Sequence, residues 1–201
     1  MIRGPQPRVA DLAFPVEGEA IACDYAQALE RALCLALDWL EAEETAGVHP
    51  IRGLAESAGR MLISRRTRIV LRLPQERLEN ASRLAGSRLD LGGVVELGPP
   101  AVRSLVPYPV LYSRLVSLGC EDAAEFDARA RRLAHEAGVS CDIIVGRRRD
   151  ALRGQERFAG YGLMLHGLSP EDSLRIQSCG LGANRKLGCG VFIPHKSIAP
   201  V

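Results

Sequence analysis

The chain has 201 residues, 47% hydrophobic and 25% charged, with a formal net charge of +2. That is ordinary globular material, enough for one large domain or two small ones, and it excludes a disordered or collagen-like chain. No apolar run approaches the roughly 18 residues of a membrane span. The first residues carry Arg3, Pro5, Pro7 and Arg8 without an apolar stretch, so no secretory signal is visible and a cytoplasmic location is expected. Six cysteines lie scattered with no Cys-x-x-Cys and no zinc-like spacing, which predicts reduced, mostly buried thiols.

In chain order, Val9 to Val16 alternates as a strand, with Asp11 on its polar side. Asp24 is placed to cap a helix from about Tyr25 to Ala42, whose Leu29, Leu33, Leu37 and Leu40 form one apolar stripe. Gly47 to Gly53 reads as the start of a strand or a loop. Arg60 to Ser64 and Arg68 to Leu73 read as two strands joined by the basic turn Arg65-Arg66-Thr67. Pro74 suits a first helical position for a helix over Gln75 to Leu84, stopped by Gly86. Val94 to Leu97 and the residues after Pro99-Pro100 supply further strand. The order is βαββαβ, the ferredoxin-like layout.

The same order recurs. Leu111 to Leu118 alternates as a strand, and Asp122 caps a helix to about Ala137 with Phe126, Ala130, Leu133 and Ala137 on one face and Gly138 as its stop. Cys141 to Val145 and Arg157 to His166 read as the middle strands. Gly146 to Gly154 between them is a basic connection with Arg147, Arg148 and Arg149 at its tip. Ser169 caps a helix with Pro170 at its first position and Gly180 past its end, and Val191 to Ile193 closes the unit. The fold class expected is α+β, two tandem ferredoxin-like (RRM-like) domains over 1–104 and 105–201, joined near the proline-rich Pro99 to Pro109 stretch.

Gly180-Leu-Gly-Ala-Asn-Arg-Lys-Leu-Gly-Cys-Gly190 places four glycines around Arg185-Lys186. Glycine brings bare N–H groups close to a ligand, and the basic pair suits phosphate, so the stretch reads as an anion-binding loop. A P-loop and a dinucleotide fingerprint are both excluded: no Gly-Lys-Ser/Thr occurs, and the loop follows a helix and precedes a strand. No cofactor and no metal site are expected. From Arg129 to Arg157 there are eight arginines, and the run Arg147-Arg148-Arg149 among them reads as a basic finger laid against a phosphate backbone or into the groove of an RNA stem. With 4% aromatic residues, a structured stem recognised by shape fits better than a stacked single strand.

The C-terminal signature resembles that of the CRISPR repeat-processing endoribonucleases of the repeat-associated mysterious protein superfamily. The run from His166-Gly-Leu-Ser-Pro-Glu-Asp-Ser-Leu-Arg-Ile-Gln177 to Gly190-Val-Phe-Ile-Pro-His-Lys196 is similar to the MYXAN subtype in particular. The resemblance implies tandem ferredoxin-like folds, binding of CRISPR repeat stem-loops, and processing of precursor CRISPR RNA. It also implies retention on the product among other subunits of an effector complex, with no membrane involved. Its chemistry needs no metal: the 2′-hydroxyl attacks the adjacent phosphate, leaving a 2′,3′-cyclic phosphate, while the protein supplies a proton shuttle and cations.

Many family members carry a histidine at or near the helix after the first strand. Here that helix starts Ala22-Cys-Asp-Tyr-Ala-Gln27 and has none. Three readings stay open. Tyr25 orients the nucleophile or acts as base; His49, with Arg52 beside it, reaches the scissile phosphate; or the chain holds repeat RNA without cutting it. The RNA-binding candidates are Arg147, Arg148, Arg149, Arg153, Arg157, Gly180, Gly182, Asn184, Arg185, Lys186, Gly188 and Gly190. His135 is expected to be solvated, and His166 and His195 to lie near RNA.

Overall fold

A computed structural model describes residues 8–54 and 56–196, without the side chain of Glu56. Arg3, Pro5 and Pro7 therefore lie outside the described residues. Two compact units divide the chain, Met1–Ser104 and Leu105–Val201. Each is a ferredoxin-like α+β unit.

In the first unit, β1 (Val9–Glu17) is the central strand. One edge pairs antiparallel with β6 (Arg68–Pro74), and the other with β8 (Val94–Leu97) and β9 (Ala101–Ser104). The strand β3 (Gly47–Val48) lies on the far side of β6, and β7 (Arg88–Asp90) beyond β8. Alternation sends Leu12, Phe14, Ile69, Leu71 and Leu73 to one face. There they share a core with Leu29 and Leu33 of α1 (Ala26–Ala36) and with Ala81 of α2 (Leu78–Ser82). Asp11, Ala13 and Arg72 necessarily take the opposite face.

Several boundaries differ from the sequence reading, each for a local reason. The first helix ends at Ala36, not Ala42, although Leu37 and Leu40 are still buried. Continuing it would stack Asp38, Glu41, Glu43 and Glu44 on the negative end of the helix dipole. Asp24 does not cap it: Tyr25 holds the cap position in helical geometry with no side-chain cap bond. Arg60–Leu62 does not pair with β6. It is β5 of a separate three-stranded sheet with β2 (Ala20–Ala22) and β4 (Glu56–Ser57). The second strand of the ferredoxin order is instead Gly47–Val48, too short to show alternation. Pro74 stays extended at the end of β6, and a 3₁₀ turn at Gln75–Arg77 precedes α2.

The second unit runs β11 (Asp142–Arg153), β12 (Glu156–His166), β10 (Val110–Val116) and β13 (Ile193–Pro194) across its sheet. That is the strand order of the first unit repeated. The Asp122 carboxylate accepts from the amides of Ala124 and Glu125 and starts α3 (Ala123–Glu136), as its residue type predicts. The buried stripe of α3 is Phe126, Ala130 and Ala134, rotated slightly from the expected face. The Ser169 hydroxyl accepts from the Asp172 amide at the start of α4 (Pro170–Cys179). The last strand is displaced from Val191–Ile193 to Ile193–Pro194, because Val191 and Phe192 are drawn into the core.

The largest revision concerns the basic connection. The hairpin of β11 and β12 is far longer than the alternation of Cys141 to Val145 implied, and Arg147, Arg148 and Arg149 lie within β11. Only Gly154 and Gln155 turn between the strands. A break in register between Val145 and Arg148 hides the strand periodicity there. None of the six cysteines, all of them described, is in a disulfide, and only Cys120 and Cys189 are buried.

Candidate active site and nucleic-acid interface

Three residues far apart in sequence meet in the first unit on the sheet face away from the helices. Asp11 of β1 stands opposite Arg72 of β6 in the antiparallel register. The Arg72 guanidinium donates from Nε to Asp11 Oδ1 at 2.7 Å and from Nη2 to Oδ2 at 3.0 Å. Arg72 is 1% exposed, so this is a buried, two-point ion pair. His49 follows directly on β3, and its amide donates to Val70 O. That bond places its Nε2 3.2 Å from Asp11 Oδ1.

The charge state follows from this arrangement. Burial pushes the Asp11 carboxyl up, but hydrogen bonds from His49 and Arg72 outweigh it, and the net pKa falls far below the usual carboxylate range. Asp11 is therefore ionised and can only accept, so His49 carries its proton on Nε2. Burial lowers the His49 pKa below its ordinary value of about 6.5; Asp11 opposes that shift, while Arg72 and Arg52 add to it. His49 is thus a neutral imidazole at pH 7, with its Nδ1 lone pair turned away from Asp11. A neutral histidine held by a carboxylate in one tautomer is suited to accept a proton.

Tyr25 and Arg52 belong to the same neighbourhood. The Tyr25 hydroxyl accepts from the Ile51 amide at 2.6 Å, which ties the start of α1 to the segment carrying His49 and Arg52. Arg52 is exposed, and its charge is felt by His49. The structure thus brings the three catalytic candidates into one region, with Tyr25 acting as a tether in the geometry seen. Sequence reasoning missed Asp11 and Arg72. A charged residue inside each of two apolar strands, V-A-D-L-A-F and R-I-V-L-R-L, was the available signal.

In the second unit the glycine loop is largely occupied with itself. The amides of Leu181, Ala183, Cys189 and Gly190 donate to Gly190 O, Ser117 O, Asn184 O and Leu115 O. Gly182 has φ +80°, and a Cβ there would sit 2.4 Å from Ser117 O, so packing against the residue that follows β10 already demands glycine. Gly180, Gly188 and Gly190 also hold positive φ, as does Asn184. Arg185 donates from Nη2 to Ser178 O, back toward α4. Arg153 of the hairpin reaches Asn184 Oδ1 at 3.4 Å. Between them lies a cleft of about 530 Å³ lined by Ser117, Arg132, Arg153, Phe158, Gly182 and Asn184.

Within the hairpin, Arg148 is bound to Glu121 at 3.0 Å and Asp150 at 3.1 Å, and Arg157 to Asp150 at 2.8 Å. The hydrogen bond from Arg157, with the charge of Arg148, lowers the Asp150 pKa. Arg147 is exposed without an ion-pair partner among the described residues, and Arg149 is half-buried with its Nε unsatisfied. His135 is exposed, as expected; His166 is 3.7 Å from Asp142, and His195 packs on the Tyr112 ring. Among the described residues no group of three His, Cys, Asp or Glu side chains gathers as a metal site, and no helix is long and apolar enough to cross a membrane.

A family model described as Cas6 Crispr matches residues 10–197. The chain belongs to the Cas6 family. A relative from Myxococcus xanthus (strain DK1622), the CRISPR-associated endonuclease Cas6, is 37% identical over 193 residues, covering 95% of this chain and 84% of the relative. A solved CRISPR-associated protein Cas6 superposes with a TM-score of 0.68 at 8% identity, over 94% of this chain and 100% of its own. A Cas6-related protein from Pyrococcus furiosus gives a TM-score of 0.65 at 12% identity, over 92% and 98%. At those identities the structures speak for the fold alone. For this Cas6 chain, the likeness accounts for two ferredoxin-like units despite little repetition between their sequences.

Proposed function

We propose that this chain is a metal-independent endoribonuclease that binds the stem-loops of CRISPR repeats, cuts precursor CRISPR RNA into guides and stays on the product in a cytoplasmic effector complex. The observation that carries the reading is the Asp11–His49–Arg72 cluster beside Tyr25 and Arg52. The family histidine is missing from the first helix, yet a neutral imidazole of fixed tautomer reaches that region from the β3 side.

In the mechanism, His49 Nδ1 takes the proton from the 2′-hydroxyl, and the resulting oxygen attacks the adjacent phosphorus. The 5′-oxygen leaves with a proton returned by the imidazolium, giving a 2′,3′-cyclic phosphate and a 5′-hydroxyl. Arg52 supplies positive charge as the phosphorane forms. Asp11 holds the ring and stabilises the imidazolium, Arg72 keeps Asp11 ionised, and Tyr25 positions the loop. Arg147, Arg149, Arg153 and the loop residues Asn184 and Lys186 contact the phosphates of the stem. The relative named as a Cas6 endonuclease supports the activity class.

The test is cleavage of the cognate repeat RNA in EDTA with analysis of the product ends. A 2′,3′-cyclic phosphate made by wild type supports the reading. A 3′-hydroxyl product, or cleavage only after metal is restored, contradicts it. Tight binding without cleavage would leave an RNA-holding subunit, the reading favoured by the absent first-helix histidine.

A further inference from the structure

The first unit carries a further cationic surface that runs from Arg52 to the turn at Arg65 and Arg66. No Asp or Glu occurs between Ser57 and Gln75, while Arg60, Arg65, Arg66, Arg68 and Arg72 do. Arg72 is consumed by Asp11. The other four, and Arg52, make no ion pair with any described acidic side chain, although Arg77 and Arg88 in the same unit do.

The surface is built rather than loose. The Ser64 amide donates to Thr67 Oγ1 at 3.0 Å, the Thr67 amide returns to Ser64 O at 2.9 Å, and the Arg66 amide donates to Ser64 Oγ at 3.1 Å. Thr67 is 2% exposed and approaches Arg52 O at 3.4 Å, joining the turn to the segment that carries His49. Arg68 folds back, donating to Arg65 O and Thr67 O at 2.7 Å each. Arg60 is likewise held on Gly92 O and Ala20 O. What projects is Arg52, Arg65 and Arg66, all exposed. Two exposed leucines adjoin them: the Leu54 amide donates to Leu62 O, and the two residues are 71% and 47% exposed.

We propose that Arg52, Arg65 and Arg66, with Leu54 and Leu62, form a binding site for an unpaired RNA strand that runs on from the scissile phosphate. The inference rests on the cleavage reading of His49. Unneutralised guanidinium groups bind phosphates with release of counterions. Solvent-facing leucines among them match the apolar faces of unpaired bases, which a paired stem keeps stacked out of reach. Continuity through Thr67 and Arg52 to His49 places this site on the path of the cut strand. The arginine turn would then act on the flank, and the second unit on the stem.

The test is equilibrium binding by fluorescence anisotropy across a salt series, using repeat RNA with a 2′-deoxynucleotide at the cleavage position. Two probes are compared, the stem-loop alone and the stem-loop with its unpaired flank, for wild type and Arg65→Ala/Arg66→Ala. Both side chains are exposed, so the variant retains the fold, checked by circular dichroism. The expected result is a salt slope shallower by about 1.4 on the flanked RNA, about 0.7 for each single-strand phosphate that is no longer neutralised, with no change on the stem alone. Leu54→Ser should weaken only the flanked RNA, without altering the slope. Equal losses on both probes would mean a stem contact, and no loss on either would mean another partner; both overturn the site. Failure of wild type to bind either RNA would overturn the functional reading itself.

Discussion

The two basic regions of this molecule differ in what surrounds their charges. From Arg129 to Arg157 there are eight arginines, but five of them are in ion pairs: Arg129 with Glu125, Arg131 with Asp127, Arg132 with Glu136, Arg148 with Glu121 and Asp150, and Arg157 with Asp150. The shorter run at Arg65 and Arg66 has no acidic neighbour in sequence. Counting arginines along the chain ranks the first region higher, whereas counting those left unneutralised narrows the gap. An ion-paired guanidinium must give up its carboxylate before it can serve a phosphate, so it attracts a polyanion less than its charge suggests.

The sharpest way to separate structural from functional charge is to break the buried cluster. His49→Ala should lower the cleavage rate about 10²–10⁴-fold, the usual range for removing a general base, with repeat RNA affinity kept in a binding assay. Arg72→Ala should destabilise the first unit by about 3–5 kcal/mol in urea denaturation, because Asp11 would be left as a buried charge without its partner. The pH dependence has a definite sign. His49 has a lowered pKa, so its basic form already predominates at pH 7. Single-turnover cleavage should be flat from there upward and fall only on acidification below about 6.5. Stability should fall over the same acid range, where the unfolded histidine takes up a proton more readily, and again below about 3.9, where the native preference for ionised Asp11 is lost.

In the second unit, replacing Arg147, Arg148 and Arg149 together with alanine should weaken stem binding and flatten its salt dependence. Arg148→Ala alone should account for little of that effect, since Glu121 and Asp150 already neutralise it. The smallest effect belongs to Arg131→Ala, an exposed i,i+4 pair with Asp127, worth at most about 1 kcal/mol in thermal denaturation.

Features that depend on neighbours in sequence were legible there. Asp122 and Ser169 cap helices with the bonds their types predict, and the four leucines of the expected stripe are all buried, Leu29 and Leu33 within the first helix and Leu37 and Leu40 beyond its end. The repeated strand order was legible because each unit alternates apolar strands with amphipathic helices. Strand partners were less so: Gly47–Val48 is two residues long, and Arg60–Leu62 forms its bonds with Ala20–Ala22. The site was the least legible part, because Asp11 is 38 residues from His49 and 61 from Arg72. The register of β1 against β6 joins Asp11 to Arg72, and that of β3 against β6 brings in His49; register depends on the whole sheet. His49 and Arg52 stood out as residue types; Asp11 stood out only as a charge inside an apolar strand, with nothing local to pair it with the histidine.

The most direct measurement is single-turnover cleavage of the repeat RNA in EDTA by wild type, His49→Ala and Tyr25→Phe, with affinity measured alongside. The account predicts a cut by wild type, its near-complete loss in His49→Ala at unchanged affinity, and a rate close to wild type in Tyr25→Phe up to a small positioning loss. Full activity in His49→Ala, or abolition in Tyr25→Phe with affinity intact, would contradict the assignment of His49 as the base.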